Sequence, residues 1–112
     1  MNILTADQLD VAERFAGKGG LKGADRFVGS DWSAGKSGAP LLVGALGALD
    51  CEVEEIIERH SHAIVIGCVR EIRSSTRSAA LAYWHGQYVA VDQQGAARLA
   101  EISVPVRGRS VV

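Results

Sequence analysis

Apolar side chains recur at helical spacing near the start of the chain and at alternate positions through its second half. Between residues 6 and 16, Leu9, Ala12, Phe15 and Ala16 share one helical face, while Asp10, Glu13 and Arg14 occupy the other. Thr5 stands as N-cap with Gln8 three residues later, the arrangement of a capping box, and Leu4 and Leu9 take the two positions of a hydrophobic staple. Gly17 supplies the residue on which helices commonly end, so a helix is predicted over 6–16. From Lys18 to Pro40 the periodicity gives way to Gly, Ser, Lys and Asp, with Leu21, Phe27, Val28 and Trp32 as the large apolar anchors. This segment reads as an ordered loop pinned to the body by its aromatic residues, and loops of that length in a compact domain are usually functional.

Beyond Pro40 the period becomes two. Leu49 to Val53 alternates, with Leu49, Cys51 and Val53 predicted to face inward and Asp50, Glu52 and Glu54 outward. His62 to Ile72 is apolar on both alternations, Ile64, Ile66 and Cys68 on one face and Ala63, Val65 and Val69 on the other, as expected of a central strand. Leu81 to Val91 is interrupted by His85-Gly86, a two-residue turn with glycine second, which predicts a hairpin. One helix, successive strands and a Gly-rich loop point to a mainly β domain, a small barrel or sandwich with the helix packed at one end. Pro105 and Gly108 break up the last dozen residues, which are expected to be coil.

The 112 residues, 47% hydrophobic and 22% charged, have the balance of a single soluble domain. A chain this short buries only about 60–70% of the surface its unfolded form exposes, so its core is thin and a homodimer is plausible on size alone. Twelve Lys and Arg against thirteen Asp and Glu leave a net charge of -1 with no basic stripe, which excludes nucleic acid as the expected partner. Arg98, Arg107 and Arg109 stand among Val, Pro and Gly and read as a solvated end. The longest uncharged apolar stretch, Ala39 to Leu49, contains two glycines and a proline and is far shorter than the ~20 residues of a membrane span. Cys51 and Cys68 lie in strand-like runs and the opening residues carry no signal-peptide pattern, so a reducing cytoplasm is expected.

Motifs for chemistry are sparse. Gly35-Lys36-Ser37 ends like a phosphate-binding loop, but Ser30 stands where that motif requires glycine. Gly17, Gly19, Gly20 and Gly23 follow a helix, the wrong context for a dinucleotide-binding turn. His60, His62 and His85 with Cys51 and Cys68 lack metal-ligand spacing, although His60 and His62 would share a strand face, so no metal is expected. No carboxylate dyad or nucleophile elbow accompanies the histidines, and hydrolysis finds no support. Tyr83, Trp84 and Tyr88 have two open readings, barrel packing or the lining of a flat ligand's pocket.

In order and spacing, Asn2-Ile3-Leu4, Phe15-Ala16-Gly17, Arg26-Phe27, Trp32 and Gly38-Ala39-Pro40-Leu41-Leu42-Val43-Gly44-Ala45-Leu46 resemble the short-chain flavin reductase family. The likeness continues through Leu49-Asp50-Cys51-Glu52-Val53, His62 to Val69, and Leu81-Ala82-Tyr83-Trp84-His85-Gly86-Gln87-Tyr88, covering residues 1–91 of a single 1–112 domain with 92–112 as a tail. The resemblance implies an FMN-binding split β-barrel that forms homodimers, lacking the family's first strands, and an NAD(P)H:flavin oxidoreductase serving a flavin-dependent monooxygenase. It implies FMN or FAD as flavin and NADH or NADPH as hydride donor, with no catalytic side chain, because hydride passes directly between stacked rings. By the same resemblance, Asn2 and the stretch Phe15, Ala16 and Gly17 lie near the flavin, and His62 and Tyr88 lie on the nicotinamide side. Asn2 has an equal structural reading, as a polar residue bonding backbone groups before a helix. Two departures are visible. In the family, Thr/Ser-rich strands that grip the flavin precede the Asn-x-Leu segment, just inside which this sequence begins, and the family's Gly-Asp-His is here His60-Ser61-His62. A non-catalytic flavin-binding or dimer-forming module is therefore the alternative, and an all-β domain unrelated to flavin a third.

Overall fold

The structure, a computed structural model, describes residues 1–76 and 79–92; the predicted coil at the C-terminus lies outside the described residues. Asn2–Ile3 (β1) leads into a 3-10 turn at Ala6–Gln8 that runs directly into the helix Leu9–Phe15 (α1). The Thr5 amide donates to Gln8 Oε1 at 3.0 Å and the Thr5 hydroxyl donates to the Asp7 carboxylate, which satisfies the helix start from local side chains. Ala16 N returns to Ala12 O and Gly17 takes a φ of 104°, ending the helix where predicted. The inward face differs from the expected one. Val11 is the buried residue of α1, whereas Leu9 and Phe15 are 38% and 36% exposed. Leu4 and Trp32 pack onto a cluster of Val11, Leu42 and Ala45, and Val11 is the helical residue that meets them.

The segment read as loop contains two 3-10 turns, Lys18–Gly20 and Gly23–Phe27, and one short strand, and a second begins at its last residue, both too short for periodicity to reveal. Trp32–Ala34 (β2) pairs antiparallel with Pro40–Leu42 (β3), Trp32 opposite Leu42. Their turn is latched to the next strand by Asp50. Ser37 N donates to Asp50 Oδ2 at 2.8 Å and the Ser37 hydroxyl donates to Oδ1. A Cβ at Gly35 would lie 2.6 Å from the Asp50 carboxyl carbon, so only glycine lets the turn approach this closely.

Gly47–Arg59 (β4) and His62–Ser74 (β5) form a long antiparallel hairpin with register shifts at Asp50/Cys51 and Val53/Glu55. β1 pairs only with the beginning of β4, Asn2 opposite Ala48, so the sheet order is β1-β4-β5. Three expectations are corrected here. β5 is an edge strand of this sheet and not a central one, with most of its residues exposed. Asp50, expected outward, is fully buried under the β2–β3 turn, while Val53, expected inward, is 62% exposed. The reason is coverage: β1 and β3 pack on the beginning of β4, whereas most residues of β4 beyond Val53 and of β5 are exposed. His60 lies in the two-residue turn with Ser61 at a φ of 53°, so it does not share a strand face with His62.

Ala80–Trp84 (β6) and Gln87–Val91 (β7) form the hairpin expected around His85-Gly86, whose φ values of 51° and 75° are both left-handed as a type I′ turn requires. It hangs from the Leu4–Ala6 segment through Leu81 N to Leu4 O at 3.0 Å and Ala6 N to Ala79 O at 3.1 Å. The mainly β class with one packed helix is as expected. No helix among the described residues is long and apolar enough to cross a membrane.

Candidate functional site

β1 and the Leu4–Ala6 segment run between α1 and the β6–β7 hairpin, and two adjoining clefts open along them. The first, about 250 Å³, is lined by Asn2, Leu4, Val11, Ala12, Phe15 and Trp32. The second, about 300 Å³, shares Asn2, Leu4 and Ala12 and continues over Ile3, Leu81, Ala82, Tyr83 and Tyr88. Ala12 sits one helical turn before Phe15, and its small side chain leaves the space that a larger residue on that face would fill. Side by side, the clefts reach the size range of small-molecule sites and have their apolar, aromatic character.

Each end of this trough carries a packed aromatic group. Phe15, Phe27 and Trp32 form one, with centroids 5.0 Å apart for Phe15–Phe27 and 4.8 Å for Phe27–Trp32, both edge-to-face. Trp32 Nε1 donates to Phe27 O at 3.0 Å, fixing the indole. At the other end Tyr83 and Tyr88, cross-strand partners, meet at 5.0 Å. Between them Asn2 is the polar group common to both clefts. Its Oδ1 accepts from Leu42 N at 2.9 Å and its Nδ2 donates to Pro40 O at 3.2 Å, so the side chain splints β1 to β3. The backbone-bonding reading of Asn2 is thus met directly, and Asn2 also lines the trough.

Asp50 braces the β2–β3 turn. Hydrogen bonds from the Ser37 hydroxyl and then the Ser37 amide hold its carboxyl below the usual carboxylate range, against the opposing effect of burial. Among the described residues no group of three His, Cys, Asp or Glu side chains could hold a metal.

Of the residues singled out from sequence, the structure brings together Asn2, Phe15 and Tyr88. Ala16 and Gly17 lie at the C-terminal end of α1, exposed and outside both clefts. His62 is exposed at the start of β5, its Nδ1 2.9 Å from the Ser61 hydroxyl, and it lines neither cleft. Eleven residue steps along β4, about 35 Å of strand, separate its partner Arg59 from Ala48 beside Asn2. Sequence reasoning missed Leu4, Val11 and Ala12, whose signal was the spacing of Ala12 and Phe15 on one face of a capped helix. Tyr83 and Trp84, read together, separate: Tyr83 joins the trough, and Trp84 instead meets His85 edge-to-face at 5.0 Å.

Residues 1–92 match the model of the flavin reductase like domain. The chain is 34% identical over 88 residues to a flavin reductase from Pseudomonas putida, covering 79% of this chain and 49% of that one. It is 30% identical over 96 residues to HsaB, the reductase subunit of a flavin-dependent monooxygenase of Mycobacterium tuberculosis, covering 84% and 49%. It superposes with a TM-score of 0.67 and 27% identity on the NADH:FAD oxidoreductase SgcE6 of Streptomyces globisporus, solved with NAD and FAD fragments, covering 79% and 52%. The chain spans about half the length of the curated relatives it matches.

Proposed function

Because the chain belongs to the flavin reductase like family and has the fold of its split-barrel reductases, we propose that it takes part in NAD(P)H-dependent reduction of FMN or FAD. The observation that carries this reading is the apolar trough along β1 that runs from Phe15 past Asn2 to Tyr88, with an aromatic group at each end. A planar tricyclic ring fits such a slot, stacked or edged by aromatic side chains and oriented by few polar atoms. The bound flavin and nicotinamide supply the hydride chemistry when stacked. The chain's own residues would then hold and orient: Phe15 walls the ring, Asn2 fixes the strand beneath it, and Tyr88 with Tyr83 borders the nicotinamide side. Ala16 and Gly17 shape the end of α1, and His62 completes the nicotinamide side only if its hairpin tip is brought to a trough. The reduced flavin would pass to a flavin-dependent monooxygenase, as the name of the mycobacterial relative suggests. A reducing cytoplasm suits the two free thiols, Cys51 and Cys68.

A homodimer is part of the same reading. The register places Leu49, Cys51, Val53, Ile56, Val65, Val69 and Ile72 on one face of the β4–β5 hairpin. Five of these expose 45–68% of their surface, and Glu58 near the tip is the one charge among the paired residues of that face. An apolar face whose one charge lies near the tip meets its own copy with little like-charge repulsion. Sedimentation equilibrium of the chain and of Val65→Lys tests this: the wild type should associate and the variant should not, and a monomeric wild type would sink it.

The flavin reading is tested by titrating the chain with FMN under fluorescence and then adding NADH without oxygen. Quenching followed by bleaching supports the reductase, and quenching without bleaching supports the alternative of a non-catalytic flavin-binding module, for which the remote position of His62 speaks. No quenching by FMN or FAD overturns both.

A further inference from the structure

The guanidinium of Arg14 is held in a socket made by the loop between α1 and β2. Nη1 donates to Val28 O at 2.5 Å, to Arg26 O at 3.4 Å and to the Ser30 hydroxyl at 3.3 Å, and Nη2 meets Asp10 Oδ2 at 3.4 Å. The Arg14 side chain is only 16% exposed although its ion-pair partner Asp10 is 69% exposed, so the contacts that matter are those with the loop. The loop backbone passes so near that a Cβ at Gly29 would stand 3.5 Å from Nη2, and Gly29 takes a φ of 91° to do so.

These contacts bracket Phe27. Its neighbour Arg26 and the next residue Val28 both give their carbonyls to Arg14, and its own carbonyl accepts from Trp32 Nε1. Phe27 is thereby pressed edge-on against Phe15, which follows Arg14 on the helix, and against Trp32. Phe15 and Trp32 line the first cleft directly. The three loop oxygens gather on Nη1 while Nη2 turns back to Asp10, so the planar guanidinium spans loop and helix with two nitrogens where a lysine offers one.

We propose that Arg14 is a positioning residue for flavin binding: it anchors the 26–30 loop to α1 and thereby sets the aromatic wall of the trough. It lines neither cleft of the trough itself. This rests on the flavin reading given above, and it assigns the loop a role that the lining residues alone do not reveal.

The test uses a Trp84→Phe background, which leaves Trp32 as the chain's single tryptophan of two. Arg14→Ala should expose Trp32 to acrylamide quenching, shift its emission to the red and weaken FMN binding about tenfold. Turnover at saturating flavin should stay within about twofold, since the wall binds the ring and moves no proton. Arg14→Lys should recover part of the affinity and of the Trp32 signal, and Ser30→Ala should give a smaller shift in the same direction without removing the charge. An unchanged Trp32 signal in all three variants overturns the clamp. A shifted signal with unchanged flavin affinity overturns its role in binding. Should the parent chain bind no flavin, the flavin reading falls while the Trp32 measurements still decide whether Arg14 holds the wall.

Discussion

The body around β1, α1 and β3 and the distal part of the β4–β5 hairpin are built from similarly apolar sequence, yet they end in opposite states. In the body, Leu41, Leu42, Ala45 and Ala48 are 1–6% exposed and every approach is fastened by a side chain: Asn2 to Pro40 and Leu42, Arg14 to the 26–30 loop, Asp50 to Ser37. In the distal hairpin, Val53, Ile56, Ile64 and Val65 each expose more than half their surface, and the strands hold mainly each other. β-Alternation marks which side chains share a face, and a covering element decides whether that face is buried. The boundary falls inside one strand, where β4 leaves the cover of β1, β3 and the β2–β3 turn just after Asp50.

Core truncation should separate the two regions most sharply. Leu41→Ala should cost about 2–4 kcal/mol in urea unfolding, because it empties a fully enclosed site. Val65→Ala, on a side chain 58% exposed, should cost under about 0.5 kcal/mol when measured on the monomer. Equal losses at the two sites in dilute, monomeric protein would mean that the hairpin is covered in solution by something other than a second copy.

Asp50→Asn comes next. An amide nitrogen in place of one carboxylate oxygen would face the Ser37 donors, so the β2–β3 turn should loosen and the unfolding midpoint fall at neutral pH. The folded-state carboxyl is held below its ordinary value, so its stabilisation is fully present above about pH 3.8 and is lost as pH falls through the lowered folded value. The gap between wild type and variant should therefore narrow in acid. A gap of constant size from neutral to acid pH would show that the latch acts through packing and not through the charge.

A smaller effect is expected where the hairpin carries its own ion pair. Arg70 and Glu52 meet at 3.0 Å with side chains 51% and 55% exposed, so Glu52→Gln should change stability by no more than about 0.5 kcal/mol and less in high salt. A larger loss would mean that the pair is shielded by a partner surface.

How much of this was legible in the sequence follows the same boundary. Local signals were read correctly: Thr5 and Gln8 at the start of the helix, Gly17 at its end, and His85-Gly86 as a two-residue turn, each set by short-range backbone chemistry. The order of motifs from Asn2 to Tyr88 carried the family, and three of its site residues converge on the trough. What alternation could not tell was coverage. Asp50 reads as an outward carboxylate until Gly35 and Ser37, thirteen or more residues earlier, fold over it. Val53 and Val65 read as core, and nothing local signals that their face lacks a neighbour. β2 and β3, three residues each, are too short to show a period, and Arg14 reads as one more residue on a polar face.

The hairpin tip offers the finest test of the contrast. His60 occupies the first turn position at a φ of 53°, where the resemblance leads one to expect glycine. A non-glycine residue in left-handed conformation costs roughly 1–2 kcal/mol, less for His than for most, while glycine returns about 0.5–1 kcal/mol of that by gaining freedom when unfolded. His60→Gly should therefore stabilise the tip by about 0.5 kcal/mol. Where that gain appears is the informative part. If the distal hairpin opens on its own, the amides of Ile57 and Ile64, paired across the tip, should exchange more slowly in the variant while global unfolding stays unchanged. If the hairpin is held by a partner face and unfolds only with the body, the same gain should appear in the unfolding midpoint instead. Faster exchange at the tip would contradict both and mean that the His60 side chain makes a stabilising contact of its own.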